Sequence, residues 1–225
     1  MNQKDMKWSI VSGSLMLAGI MIIYAFDGGS GKDYDGNIYN AVEIGNQVWM
    51  TENLNTGTFR NGDPIPEAKT NAEWEKAGVE GRPVWCYFNN DPANGKKYGR
   101  LYNWYAVNDP RGLAPPGWHV PTNAEWSQLM EYLEGESVAG YKLKSTGGWN
   151  ENGNGSNEYG FTAMPGGLRY SWGAFRYAGD YGYWLSSDEY TAKSVHSRFL
   201  VYRSGSAGSY YLVKGKGFSV RCVRD

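Results

Sequence analysis

Residues 99–126, GRLYNWYAVNDPRGLAPPGWHVPTNAEW, decide how this chain is read. Pro115-Pro116-Gly117 forces a turn, and Pro121 holds the residue before it extended. Thr122-Asn123-Ala124-Glu125 then reads as a capping box. In it the Thr122 hydroxyl accepts from an amide of the first helical turn, while the Glu125 carboxylate accepts from the Thr122 N–H. Trp118 and His119 are therefore placed on a rigid extended lead-in, held against the helix that follows. That helix is predicted over 123–133: Trp126, Leu129, Met130 and Leu133 fall at i, i+3, i+4 and i+7, and Gly135 ends it.

Working outward, Thr70-Asn71-Ala72-Glu73-Trp74 repeats the later Thr122-Asn123-Ala124-Glu125-Trp126. The flanks do not match, which favours two independent helix starts over a duplication. The first helix is predicted to be short, 71–76, with Gly78 as its stop. Upstream, 38–44 and 47–50 alternate apolar and polar residues around Gly45-Asn46, a hairpin signal. Downstream, short strands are predicted at 160–163, 183–186, 197–202, 210–213 and 218–224. They are separated by an Asn/Gly/Ser loop at 147–159 and an aromatic, Gly-rich loop at 168–182. Early strands, two short helices and then several strands make the fold class α+β, with small antiparallel sheets and long loops.

These segments resemble the Fibrobacter succinogenes major paralogous domain family. The resemblance is carried by DGNIYNAVEIGNQVWMTENLN (35–55), YGRLYNWYAV (98–107), PPGWHVPTNAEW (115–126), KLKSTGGW (142–149), GSNEYGFTAMPGG (155–167), GYWLSSDEY (182–190) and GFSVRCVRD (217–225). It implies an extracytoplasmic domain, related in fold to C-type lectin-like and formylglycine-generating-enzyme-like domains. It implies no reaction. It further implies that the first and last strands pair, and that the late loops form any ligand-binding face. The expected organisation is a signal peptide or membrane anchor at 1–26, a linker at 27–36 and a lectin-like domain at 37–225.

The N-terminal reading stands on its own residues. From Trp8 to Phe26 the chain is apolar and uncharged, with Lys4 and Lys7 before it and a Gly/Asp-rich stretch after it. That pattern is a secretory signal or a single retained span. No cysteine stands at the end of the run, so the expectation is that the N-terminus is not lipid-anchored. Either alternative exports the domain to the cell surface, the envelope or the medium, and contact with a membrane is expected only through this segment. Two cysteines in an exported chain suggest a Cys86–Cys222 disulfide, worth roughly 3–5 kcal/mol in a chain-entropy account; the alternative is two buried thiols.

A formal charge of −1 and the absence of a basic stripe argue against nucleic acid. Aromatic residues make up 16% of the chain, and they concentrate late. Arg169-Tyr170-Ser171-Trp172-Gly173-Ala174-Phe175-Arg176-Tyr177-Ala178-Gly179-Asp180-Tyr181 interleaves rings with arginine. Flat rings with polar tips, beside planar guanidinium groups, suit a sugar, a peptide or a neighbouring protein. The expected ligand-binding residues are Tyr170, Trp172, Arg176, Tyr177 and Tyr181, with Tyr202, Arg203 and Tyr210 from a second cluster beside them. No catalytic residue and no metal ligand is assigned.

Other chemistry is weaker. Asn150-x-Asn152-x-Asn154-Gly155 has the opening spacing of a calcium loop, but position 12 is Phe161 rather than a bidentate Glu, and Glu158 could supply one charge from position 9. The sugar-binding calcium triplets of C-type lectins, Glu-Pro-Asn and Gln-Pro-Asp, do not occur. His119 reads as a packed, hydrogen-bonded histidine, and His196 as an exposed one. Glu134, Glu136, Asp188 and Glu189 read as solvated surface. The reactive cysteine pair of formylglycine-generating enzymes is not matched, since Cys222 stands alone near its place. The expectation is an exported, non-catalytic module that binds glycan or protein. The alternatives are a self-associating structural protein of the envelope or an extracellular filament, and, third, an enzyme of unknown type.

Overall fold

The computed structural model describes residues 30–225; the predicted signal or anchor at 1–26 lies outside them. Along the chain run β1 (Gly31–Lys32), β2 (Ile38–Tyr39), β3 (Ala41–Ile44), β4 (Gln47–Met50), α1 (Asn71–Glu80), β5 (Trp85–Cys86), α2 (Ala93–Tyr98) and β6 (Leu101–Tyr102). Then come α3 (Trp104–Val107), β7 (Trp118–His119), α4 (Asn123–Tyr132), α5 (Glu136–Leu143), β8 (Gly166–Arg169) and β9 (Phe175–Ala178). Last are β10 (Tyr181–Thr191), β11 (Ser194–Val201), β12 (Ala207–Val213) and β13 (Val223–Arg224). The class is α+β, with every paired strand antiparallel.

Both capping boxes form. Thr122 Oγ1 accepts from Glu125 N at 3.2 Å, and Glu125 Oε2 accepts from Thr122 N at 2.8 Å. Thr70 and Glu73 make the same pair of bonds. Helix α1 runs past Gly78 and stops at Gly81, which takes the left-handed conformation (φ 68°) of a helix C-cap. Gly78 is tolerated inside the helix because its bare Cα packs against Gly215, where an added Cβ would lie 3.3 Å from the Gly215 Cα. Three helices were not anticipated. α3 starts at Asn103, whose side chain accepts from Ala106 N; α2 and α5 have no side-chain cap bond.

The predicted hairpin forms as β3 and β4, paired Ala41 with Met50 through Ile44 with Gln47. Strand β13 inserts between β4 and β7, pairing Val223 with Trp49 and with His119. The expected pairing of the first and last strands is not found: β1 pairs with β2, and β13 pairs with β4 and β7, because the hairpin's second strand offers it the free edge. The predicted linker, 27–36, joins the fold from Gly31, which starts β1, and Asp33 is buried, accepting from the Tyr39 hydroxyl at 2.6 Å.

Two further corrections concern strands. Residues 160–163 form an irregular segment with one bridge, Ala163 to Lys144. Of 218–224 only Val223–Arg224 is regular strand, with Phe218 and Ser219 making isolated bridges. The supposed loop 168–182 is largely the β8–β9 hairpin leading into β10.

Strands β10, β11 and β12 make a three-stranded sheet that separates two cores. Period-2 alternation assigns its faces. Trp184, Leu200 and Ala207 face a core with Trp49, Trp126 and Phe161, where the Trp49 and Trp126 rings lie 4.7 Å apart. Leu185, Val195 and Leu212 face the other core, with Tyr102, Trp118 and Phe218.

Cys86 and Cys222 are both free thiols, not a disulfide. They sit in different cores, Cys86 with Trp74 and Leu101, and Cys222 with Met50 and Val220. Burial pushes each thiol up to about 12.

Candidate functional site

The late aromatic residues assemble a groove of about 320 Å³ lined by Leu168, Tyr170, Tyr177, Tyr181, Tyr183, Phe199, Tyr210, Leu212 and Lys216. Its floor comes from one face of the three-stranded sheet. Tyr183 pairs with Phe199, Phe199 with Gly208, and Ser197 with Tyr210, so these side chains project together. Gly208 leaves room for the Phe199 ring, since a Cβ there would lie 2.4 Å from it. Its wall comes from the β8–β9 hairpin. Tyr170 stacks on Trp172 (4.2 Å between centroids, 12° between planes), and Tyr181 stacks on Tyr183 (5.4 Å, 8°). Tyr177 links the two stacks through edge contacts to Tyr170 and Tyr181. Trp172, Tyr177 and Tyr210 are exposed at 54%, 39% and 61%, so much of this ring surface meets solvent.

A buried arginine holds the wall. Arg169 is fully buried and donates to Ala68 O (2.7 Å), Thr70 O (2.9 Å) and Gly173 O (2.9 Å). Its guanidinium also lies against the rings of Trp74 and Phe175. It thus ties the turn that carries Tyr170 and Trp172 to the start of α1.

Of the expected binding residues, Tyr170, Tyr177, Tyr181 and Tyr210 line the groove and Trp172 extends its rim. Arg176 is exposed outside it, and its Nη1 donates to Phe175 O. Tyr202 packs against the other core, and Arg203 lies over the Tyr202 ring and pairs with Glu151. Tyr202 and Arg203 therefore stand apart from the groove, across the sheet. Tyr183, Phe199 and Lys216 were missed. The signal was the alternation Tyr181-x-Tyr183, which points both rings to one face once a strand is recognised there.

The calcium-like loop is organised around an ammonium group. Lys144, 2% exposed, donates through Nζ to Gly153 O (2.6 Å) and Ser204 O (2.9 Å). Asn150 Nδ2 donates to Asp180, Asn154 Oδ1 accepts from Trp149 N, and Phe161 is core.

The surface carboxylates are paired: Glu134 with Lys142, Glu136 with Arg198, Glu189 with Lys214, and Asp188 with the Asn123 amide. His196 lies edge-on to Tyr190 and Tyr211. His119 bridges two carboxylates, with Nδ1 2.7 Å from Asp225 Oδ1 and Nε2 2.7 Å from Glu125 Oε1. Burial alone would lower its pKa, but the two carboxylates outweigh it and raise the pKa above 6.5.

The molecule is thus an α+β domain of small antiparallel sheets that carries an open aromatic groove. The chain belongs to the Fibrobacter succinogenes major domain family, which it matches over residues 42–224. No curated protein and no solved structure matches it. Among the described residues no helix is long and apolar enough to cross a membrane.

Proposed function

We propose that this chain is an exported, non-catalytic recognition module that binds glycan through the groove between the β8–β9 hairpin and the three-stranded sheet. A lectin-like topology, in which β13 returns to the first hairpin, belongs to this reading. The observation that carries it is the continuous run of rings from Trp172 through Tyr170, Tyr177 and Tyr181 to Tyr183 along an open groove. Such faces match the apolar C–H faces of sugar rings, while the Tyr170, Tyr177 and Tyr210 hydroxyls and Lys216 offer polar contacts at the edges. Glycan-array binding by the exported domain tests it. Signals that vanish in Trp172→Ala and Tyr210→Ala support the reading; signals unchanged in both overturn it.

A specific observation favours a second reading, homo-assembly. Strand β12 is a sheet edge, and Tyr210, Tyr211 and Val213 on it are each at least half exposed. Exposed edges of this kind pair with other chains. Concentration-dependent sizing distinguishes the two: a strict monomer removes assembly and leaves glycan binding standing.

A further inference from the structure

A second and larger cleft, of about 440 Å³, shares no lining residue with the aromatic groove. Its walls come from the segment after β4 and from α2, and Arg221 contributes to its lining. The chemistry of this cleft is cationic and amide-rich rather than aromatic.

Arg221 is fully buried, and every acceptor around it is a neutral oxygen: Phe161 O, Thr162 O and Asn53 Oδ1, the last at 2.7 Å from Nη2. No carboxylate lies within ion-pair reach of it among the described residues. The nearest acid, Glu52, acts on this guanidinium only from beyond ion-pair distance, so the buried positive charge is offset in part. Lys96 and Lys97 add two exposed ammonium groups, and neither pairs with a carboxylate among the described residues. Glu52, held through both oxygens by Asn40, is the one acid in the lining, so three cations, Lys96, Lys97 and Arg221, face a single carboxylate and the cleft is positive on balance. The cleft therefore favours an anion.

A bare anion does not satisfy its walls. Asn55 Oδ1 is buried and accepts no hydrogen bond. A small turn about χ2, a soft torsion in asparagine, offers that carboxamide to a ligand donor. Thr51 lines the same wall. An acceptor needing an O–H donor, beside cations needing a negative charge, calls for one molecule that carries both.

We propose that this cleft binds an acidic sugar, with its carboxylate toward Lys96 and Lys97 over Arg221 and its hydroxyls on Asn55 and Thr51. The volume lies in the range of small-molecule sites and suits one or two sugar rings. This is a second carbohydrate contact, separate from the groove, and it gives the domain a preference for acidic polysaccharide.

Calorimetric titration of the exported domain with a galacturonic acid dimer, a neutral galactose dimer and sodium phosphate tests the proposal. The acidic dimer should bind at least about tenfold more tightly than the neutral one. Lys96→Glu/Lys97→Glu, at exposed positions, should remove that preference without changing the melting temperature. Asn55→Leu should weaken the acidic dimer while leaving phosphate unchanged. Trp172→Ala should leave acidic-dimer binding intact. Equal affinity for the two dimers, a preference that survives the double charge reversal, phosphate binding as tightly as the acidic dimer, or loss in Trp172→Ala alone would each overturn it.

Discussion

Tyr177 (φ 70°) and Gly167 (φ 66°) lie across from each other in the β8–β9 hairpin, both left-handed, between the pairs Gly166–Ala178 and Leu168–Arg176. Glycine adopts this conformation freely, whereas a tyrosine held there is strained by roughly 1–2 kcal/mol. The strain puts the Tyr177 ring between Tyr170 and Tyr181, in the middle of the groove wall. Tyr177→Gly should therefore leave the melting temperature unchanged or raise it, while weakening glycan binding. Gly167→Ala should do the reverse damage: its Cβ would lie 2.4 Å from Arg176 O, so the hairpin must shift, at a loss of more than ~2 kcal/mol. Thermal melts paired with glycan titration separate the two effects.

The thiols make a second prediction. Cys86 and Cys222 are buried in separate cores, with pKa values pushed up to about 12. Intact mass should be the same with and without reductant. A thiol reagent at pH 8 should label neither cysteine in the native state and both in guanidinium chloride. A mass two hydrogens lower without reductant would contradict the arrangement.

The capping boxes, the first hairpin and the amphipathic helix at Trp126 were legible because each is local: type and spacing suffice. The buried cations were not. Arg169, Arg221 and Lys144 look like surface residues in sequence, since their partners are backbone carbonyls and amide oxygens brought from distant segments. The groove was half legible. Composition points to its tyrosines, but Tyr202 and Arg203 lie apart from it, because only strand register tells which face a ring occupies. Tyr183 and Phe199 were missed for the same reason.

The His119 clamp predicts a pH window. The raised His119 pKa contributes stability fully below 6.5, lost as pH rises through its folded value. The lowered Glu125 pKa, which burial opposes but the Thr122 and His119 bonds outweigh, contributes stability above 4.5, lost as pH falls through its folded value. The pair therefore supports β7, α4 and β13 most between about pH 4.5 and 6.5. His119 is about one-third exposed, so screening holds the effect below ~1 kcal/mol. Melting temperature relative to His119→Gln should show the largest gap near pH 5.5 and a smaller one at pH 8.5; a gap constant with pH would refute the clamp.

Lys144 closes the 147–159 segment against the turn after β11. Its ammonium donates to Gly153 O and Ser204 O, and weakly to Val201 O and Tyr202 O, while its charge lies 5.2 Å from the Trp149 ring. Gly155 packs so closely on this residue that a Cβ there would lie 2.7 Å from the Lys144 Cβ. Lys144→Met keeps the aliphatic stem and removes only the donors, leaving the carbonyls without their partner at ~2–4 kcal/mol. The loop should then open locally before the domain melts. Limited proteolysis should cut between Gly147 and Tyr159 in Lys144→Met while the wild-type loop resists, and hydrogen exchange should rise at Gly155 and Ser156, whose amides bond Ser145 O and Tyr141 O. Because the opened loop lies across the sheet from Tyr183 and Phe199, glycan binding at the groove should fall by less than about threefold.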